Sequence, residues 1–287
     1  MSLYVLALVL TAAVLHASWN LLAKKTKGKT PFIWLQYIVS NILYLPFLFF
    51  QTNQDLAINL KPLLWFSVSS AVIHLGYFVV LQKGYRSADL SVVYPLARGS
   101  APLVSFIAAI VFLHEQLKFS SAIGLFLIIA GVLIITGLSF KKENNSKIMT
   151  GISYGLLTGL FIALYSFNDT VAVKKYGLPP LILTLATNLC STVFLLPFVL
   201  PQKNELKREI KEHKWIIIAV GLLSPAAYIL VLEALKYAPL SVVAPARETS
   251  ILLGVFMGSR VFNEKDGRRR LIASALILGG IISLSIS

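Results

Sequence analysis

Two arginines stand inside apolar stretches of this 287-residue chain, and each belongs to a copy of the same short phrase. Residues 90–99 read LSVVYPLARG and residues 240–249 read LSVVAPARET, so that Arg98 and Arg247 each follow a proline by two or three positions. A guanidinium group is planar, stays protonated, and binds a carboxylate or phosphate through two parallel hydrogen bonds. We therefore expect both arginines to help bind an anionic group.

The neighbours of these arginines supply further polar groups. Tyr94 and Ser91 precede Arg98 by one and two helical turns, so a helix would place a phenol, a hydroxyl and a guanidinium on one face. Both are expected to contribute to substrate binding. Glu248 follows Arg247 directly, which leaves an alternative open. The acid could instead neutralise a buried arginine, either Arg98 or one on another helix.

A second set of polar residues lies in other apolar stretches. Asn20 and Asn168 end the related triplets Ser-Trp-Asn and Ser-Phe-Asn, and they are expected either to contact substrate or to join helices by hydrogen bonds. An ionisable side chain within a membrane span is costly to bury, so it is a functional candidate by default. The candidates for carrying a coupled proton are Glu248, Asp169, His16 and His74. For the histidines, hydrogen-bonded packing is the alternative.

The elements that must position these residues are predicted to be membrane-spanning helices. Hydrophobic residues make up 57% of the chain and charged residues only 13%, against about 25% charged residues in a soluble domain. A helix that crosses ~30 Å of hydrocarbon needs about 20 mostly apolar residues. Division at charged clusters and at Pro, Gly or Asn predicts ten spans: 3–23, 31–51, 63–82, 89–113, 119–139, 150–173, 179–200, 215–235, 240–259 and 271–286.

The distribution of cations predicts the orientation of these spans. The loops after the odd-numbered spans hold 19 lysines and arginines, and the loops after the even-numbered spans hold 5. Cytoplasmic loops carry the cationic excess, so both termini are expected outside the cell membrane. Segment 201–214 is then cytoplasmic, as an exposed linker or a short surface helix. The net charge of +14 is assigned to these loops rather than to nucleic-acid binding.

The repeated phrase indicates an internal repeat. Residues 90–95 match residues 240–245 at five of six positions, and Glu115 has a counterpart in Glu264. The chain is therefore divided into repeats 1–140 and 150–287. Because five spans are an odd number, the second repeat enters the membrane from the opposite side. Inverted repeats of this kind are typical of secondary transporters.

The phrases LSVVYPLARGSAPL with Glu115, and LSVVAPARET with Glu264, resemble the drug/metabolite transporter superfamily, specifically its EamA-like ten-helix branch. The family usually has a glycine before each glutamate, where this chain has His114 and Asn263. The resemblance implies an all-α integral membrane protein of two inverted five-helix repeats around a central cavity. It also implies the movement of small polar metabolites.

We expect a secondary transporter of an anionic or zwitterionic small molecule that works by alternating access, with a proton as the candidate coupling ion. The alternatives are a flippase for a lipid-linked sugar and a membrane-embedded enzyme acting on a lipid-linked substrate. The sequence contains no Walker loop and no paired Cys/His array, so no cofactor, metal site or catalytic residue is expected. The expected partners are a small-molecule substrate and the lipid bilayer, without nucleic acid, and the chain is expected as a monomer or homodimer.

Overall fold

The regular secondary structure of the described residues is entirely helical. The computed structural model describes residues 1–24, 26, 30–51, 58–88, 90–116, 118–136, 145–250 and 267–286. The α-helices are α1 Leu3–Lys24, α2 Thr30–Tyr44, α3 Leu60–Ser87, α4 Leu90–Leu113, α5 Phe119–Thr136, α6 Asn145–Tyr176, α7 Pro180–Val199, α8 Lys203–Tyr237, α9 Leu240–Arg247 and α10 Gly267–Ile286. Short 3₁₀ helices, Leu45–Phe50 and Leu200–Gln202, follow α2 and α7.

Six helical stretches within the described ranges are long and apolar enough to cross a membrane. They are Leu3–Ala23, Thr30–Phe50, Leu60–Ser87, Leu96–Leu113, Met149–Tyr176 and Pro180–Tyr237, the last of which contains both α7 and α8. Many large apolar side chains on these helices are exposed, among them Ile42, Trp65, Phe112 and Phe198. Lipid tails are the solvent that suits such surfaces. The chain is therefore a multi-pass membrane protein.

Helix α8 differs in length from the predicted span 215–235. It begins at Lys203, and its backbone is kinked at His213, where φ is −126° and ψ is 16°. Segment 201–214 was expected to be an exposed linker or a short surface helix. The structure has a helix there, and it is continuous with the apolar helix that follows. The predicted ninth span, 240–259, extends beyond the described residues, which stop at 250 and resume at 267. Glu264 and Asn263 also lie outside them.

The first of two compact units contains Met1–Leu10, Ile73–Phe167 and Tyr237–Ser287. Within it, α5 and α10 approach closely because glycines face each other. A Cβ atom added to Gly124 would lie 2.8 Å from the carbonyl oxygen of Gly280, and one added to Gly280 would lie 2.7 Å from that of Gly124. Small residues at such contacts let helix backbones pack tightly in a membrane, where van der Waals contact drives association.

The second compact unit contains Thr11–Val72 and Asn168–Lys236. Helices α2 and α7 pack together in it and are joined by polar contacts. Asn188 Nδ2 donates a hydrogen bond to Ser40 Oγ at 2.8 Å, and Trp34 Nε1 donates one to the carbonyl oxygen of Thr192 at 3.0 Å. Each unit thus takes residues from both halves of the sequence, so the units are not the predicted repeats.

Candidate functional site

Arg98 and Glu248 form an ion pair in the first unit. Arg98 lies on α4, and Glu248 directly follows the last residue of α9. Arg98 Nη1 is 3.7 Å from Glu248 Oε2, a separation longer than a hydrogen bond. The side chain of Glu248 is 1% exposed, and that of Arg98 is 14% exposed. The pair is therefore electrostatic, and its positive end is the more accessible one.

Glu248 lies in a tight turn at the end of α9. Pro245 stands inside α9 and has no N–H to donate, which weakens the helix around it. The helix ends at Arg247, and the N–H of Glu248 donates to the carbonyl oxygen of Pro245 at 3.0 Å. This turn places Arg247 and Glu248, which are adjacent in sequence, against different neighbours.

Arg247 contacts an aromatic group rather than the acid beside it. Its Nη2 lies 3.4 Å from the hydroxyl oxygen of Tyr165, and its guanidinium carbon is 5.8 Å from the centre of that ring. The ring of His74 stacks on Tyr165 with centroids 4.1 Å apart. We call Arg98, Arg247, Glu248, Tyr165 and His74 the charged cluster. It combines two cations, an acid, a phenol and an imidazole within one unit of a membrane protein.

Asp169 is the centre of a separate polar network in the second unit. Its side chain is 1% exposed. Oδ2 accepts hydrogen bonds from Ser70 Oγ, at 3.0 Å, and from the hydroxyl of Tyr228, while Oδ1 accepts one from Asn168 Nδ2, at 2.9 Å. These donors lie on α3, α8 and α6. A carboxylate that accepts from several donors can be buried at a much lower cost than an isolated one.

Asn168 extends this network towards α3. Its Oδ1 accepts a hydrogen bond from Ser69 Oγ at 2.9 Å, and its Nδ2 also donates to the carbonyl oxygen of Phe66 at 3.2 Å. We call Asp169, Asn168, Ser69, Ser70 and Tyr228 the Asp169 network. The interhelical hydrogen bonds expected as one alternative for Asn168 are present.

The structure places two further predicted residues, Asn20 and His16, on α1. Asn20 Nδ2 donates a hydrogen bond to the carbonyl oxygen of His16 on the same helix, at 2.8 Å. The His16 ring meets Trp19 edge to face, with centroids 5.0 Å apart. Ser91 and Tyr94 lie on α4, and their side chains fall outside the part of the chain that the structure describes.

Three residues of these contacts were not predicted from the sequence: Tyr165, Ser70 and Tyr228. A helical spacing could have revealed two of them, because Ser70 precedes His74 by four residues and Tyr165 precedes Asp169 by four. Tyr228 had no such signal. Among the described residues, no group of three or more His, Cys, Asp or Glu side chains is placed to hold a metal ion.

Comparison with known proteins gives the following matches. The model of the EamA-like transporter family matches residues 3–137 and 149–286. Curated proteins give no significant match. Among solved structures 29 chains match; one, described only as a crystal structure of a protein, has a TM-score of 0.77. It is 13% identical in sequence, and the match covers 98% of this chain and 96% of that chain. At this identity the likeness concerns the fold.

Proposed function

Since the chain belongs to the EamA-like transporter family, as its resemblance to the drug/metabolite transporter superfamily predicts, we propose that it is a secondary transporter of a small zwitterionic or anionic metabolite. The substrate binds at the charged cluster, and the protein works by alternating access. The observation that carries this proposal is the ion pair of Arg98 and Glu248.

An ion pair of this geometry suits exchange with a zwitterion. At 3.7 Å, the two groups attract each other without forming a hydrogen bond. A substrate with a carboxylate and an ammonium group can hydrogen-bond to both side chains: the carboxylate to Arg98 and the ammonium to Glu248. Charge-assisted hydrogen bonds are about twice as strong as neutral ones. Substrate binding thus compensates for opening the internal pair, and an anion without the ammonium uses Arg98 alone.

Arg247 and its aromatic neighbours have a supporting role in this proposal. The guanidinium group lies beside the Tyr165 ring, and a cation over an aromatic face gains roughly 0.5–2 kcal/mol. This contact holds Arg247 near the pair, where its charge attracts a substrate anion. Tyr94 and Ser91 remain proposed substrate contacts on α4, and Asn20 remains one on α1.

We propose Asp169 as the proton carrier of a coupled cycle. As a carboxylate it accepts hydrogen bonds from Ser70, Tyr228 and Asn168. Protonation removes the charge and adds a donor, so at least one of these contacts must rearrange. Because the donors come from three helices, a proton would change how α3, α6 and α8 are joined. Glu248, His74 and His16 are the other proposed carriers.

The proposed architecture has ten spans in two inverted five-helix repeats, 1–140 and 150–287, around a central cavity. Support comes from the family match in two segments, 3–137 and 149–286, and from the repeated Leu-Ser-Val-Val phrase. Both termini are proposed to lie outside the cell membrane, from the distribution of cations.

The test uses purified protein in proteoliposomes. Uptake from pooled metabolites, read by mass spectrometry, first identifies a substrate of the wild-type protein. Arg98→Ala should then weaken apparent affinity roughly ten- to a hundred-fold, since losing a hydrogen bond to a charged group costs about 1.5–3 kcal/mol. Arg98→Lys should restore it only in part, because a lysine cannot bind a carboxylate through a planar fork.

Arg208→Ala is the matched control. It removes an exposed arginine that is paired with Glu205 on the polar part of α8, at 3.6 Å, and should leave apparent affinity unchanged. Near-normal affinity in a folded, membrane-inserted Arg98→Ala variant would falsify the assignment of Arg98 to substrate. Arg98 would then serve only to neutralise Glu248.

A further inference from the structure

Glu115 lies just beyond α4, and its carboxylate contacts the first turn of α9. Oε1 accepts a hydrogen bond from the backbone N–H of Leu240 at 2.8 Å. Oε2 accepts one from the N–H of Ser241 at 3.0 Å and one from its hydroxyl at 2.7 Å. The first N–H groups of a helix have no partner within the helix, and a negative charge there is favourable. Glu115 therefore caps α9 from a distant part of the chain.

The local sequence of α9 offers no substitute for this cap. The residue at the N-cap position is Pro239, whose side chain has no hydrogen-bond acceptor, and no side-chain capping bond is formed there. Helix α9 has eight residues and contains Pro245. Helices this short are marginal on their own, because nucleation is costly and few hydrogen bonds follow it. All eight residues are buried by packing, and within the first turn the Glu115 carboxylate accepts from the N–H groups of Leu240 and Ser241.

His114 directs Glu115 towards α9. Its φ angle is 54°, in the left-handed region that most residues avoid and that His, Asn and Gly tolerate best. The chain reverses there, and the N–H of Glu115 donates to the carbonyl oxygen of Ala109 at 3.2 Å, back along α4. The positive φ is therefore the geometric condition for the cap.

We propose that His114 and Glu115 form a positioning device for the charged cluster. They tie the C-terminal end of α4 to the first turn of α9. Helix α4 carries Arg98, and α9 ends at Arg247, directly before Glu248. The capping contact does not depend on what the cluster binds. Its consequence for transport rests on the function proposed above.

Amide hydrogen exchange on the purified full-length protein, resolved to single residues, tests the cap without any substrate. Glu115→Ala should speed exchange at Leu240 and Ser241 roughly 2- to 30-fold, the range that corresponds to losing an N-cap. Because the proposed device positions the whole helix, exchange at the Glu248 N–H should also rise. Amides in the middle of α5 should not change.

Substitutions at His114 provide the matched pair. His114→Gly keeps the left-handed turn without strain, so exchange at Leu240 and Ser241 should stay the same or slow down. His114→Val places a β-branched residue where φ is positive, and it should reproduce the faster exchange of Glu115→Ala. Glu115→Gln, which keeps one acceptor oxygen but loses the other and the charge, should lie between wild type and Glu115→Ala.

Two results would overturn the proposal. Unchanged exchange at Leu240 and Ser241 in Glu115→Ala would mean that the carboxylate does not cap α9. An equal rise across α5 and α9 would mean a general loss of stability rather than positioning. A protein that shows the expected exchange but transports no metabolite would contradict the proposed function alone.

Discussion

Removing the hydroxyl of Tyr228 should destabilise the protein, because that hydroxyl donates to a carboxylate that is 1% exposed. Hydrogen bonds to charged groups contribute about 1.5–3 kcal/mol in soluble proteins. Side-chain hydrogen bonds in a membrane average about 0.6 and reach about 1.7 kcal/mol. The acceptor here is charged and retains Ser70 as a donor. We therefore expect Tyr228→Phe to cost about 1–2 kcal/mol.

Asp169→Asn should lower the free energy of unfolding by more, about 2–4 kcal/mol, although the two side chains have nearly the same shape. The amide replaces one carboxylate oxygen with a donor, which must face either the Asn168 amide or the hydroxyls of Ser70 and Tyr228. An unsatisfied buried donor costs about 1–3 kcal/mol, and the remaining hydrogen bonds lose their charge assistance. Ser70→Ala should have the smallest effect of the three.

The assay is thermal unfolding in detergent, followed by tryptophan fluorescence. For soluble chains of 150–250 residues, 1 kcal/mol shifts Tm by roughly 2–4 °C, which gives roughly 2–8 °C for Tyr228→Phe. Tyr176→Phe is the control, since it removes a hydroxyl from a side chain that is 48% exposed. The double variant Asp169→Asn/Tyr228→Phe should lose less than the sum of the single losses. Additive losses, or an unchanged Tm in Asp169→Asn, would refute the network.

Three further predictions concern packing and topology. Gly280→Ala should lower Tm by several degrees, since its Cβ would lie 2.7 Å from a carbonyl oxygen. The control Gly279→Ala should leave Tm unchanged, because its Cβ would lie 3.8 Å from the nearest atom. Equal shifts would contradict close packing of α5 and α10. A single cysteine at Lys207, in a Cys190→Ser background, should react with impermeant thiol reagents only from the cytoplasmic side, and labelling from outside would reverse the orientation. In an experimental structure, repeats 1–140 and 150–287 should superpose about an axis in the membrane plane; an axis along the membrane normal would exclude inverted repeats.

The sequence located most of the described helices because long apolar stretches leave little choice in a bilayer. The sequence was less informative about where α8 begins. Most of the charged residues after Lys203 are exposed, but lysine and glutamate also favour helix formation. The surface helix and the span therefore form one helix, which is kinked at His213. A charge cluster marks where the membrane ends. It does not mark where a helix begins.

The sequence was sufficient to predict which ionisable residues belong to the candidate site, but not which side chains they contact. Arg98, Glu248 and Asp169 stand out because ionisable groups are costly in a span. Their contacts depend on how distant helices meet: Asp169 lies 99 residues from Ser70 and 59 from Tyr228. Periodicity along one helix carries no information about such pairs. The pairing of Arg98 with Glu248 therefore remained one of two alternatives until the structure placed α4 against α9.

The glycine contact between α5 and α10 also bears on how the protein is made. Gly124 is synthesised 156 residues before Gly280, the residue whose carbonyl it approaches. At about 5–20 residues per second, that interval is roughly 8–30 s. During this time the face of α5 that carries Gly124 can contact only lipid or a temporary partner. Glycine is compatible with this interval, because the exposed backbone of a helix has its N–H and C=O groups hydrogen-bonded within the helix and can face lipid until α10 is made.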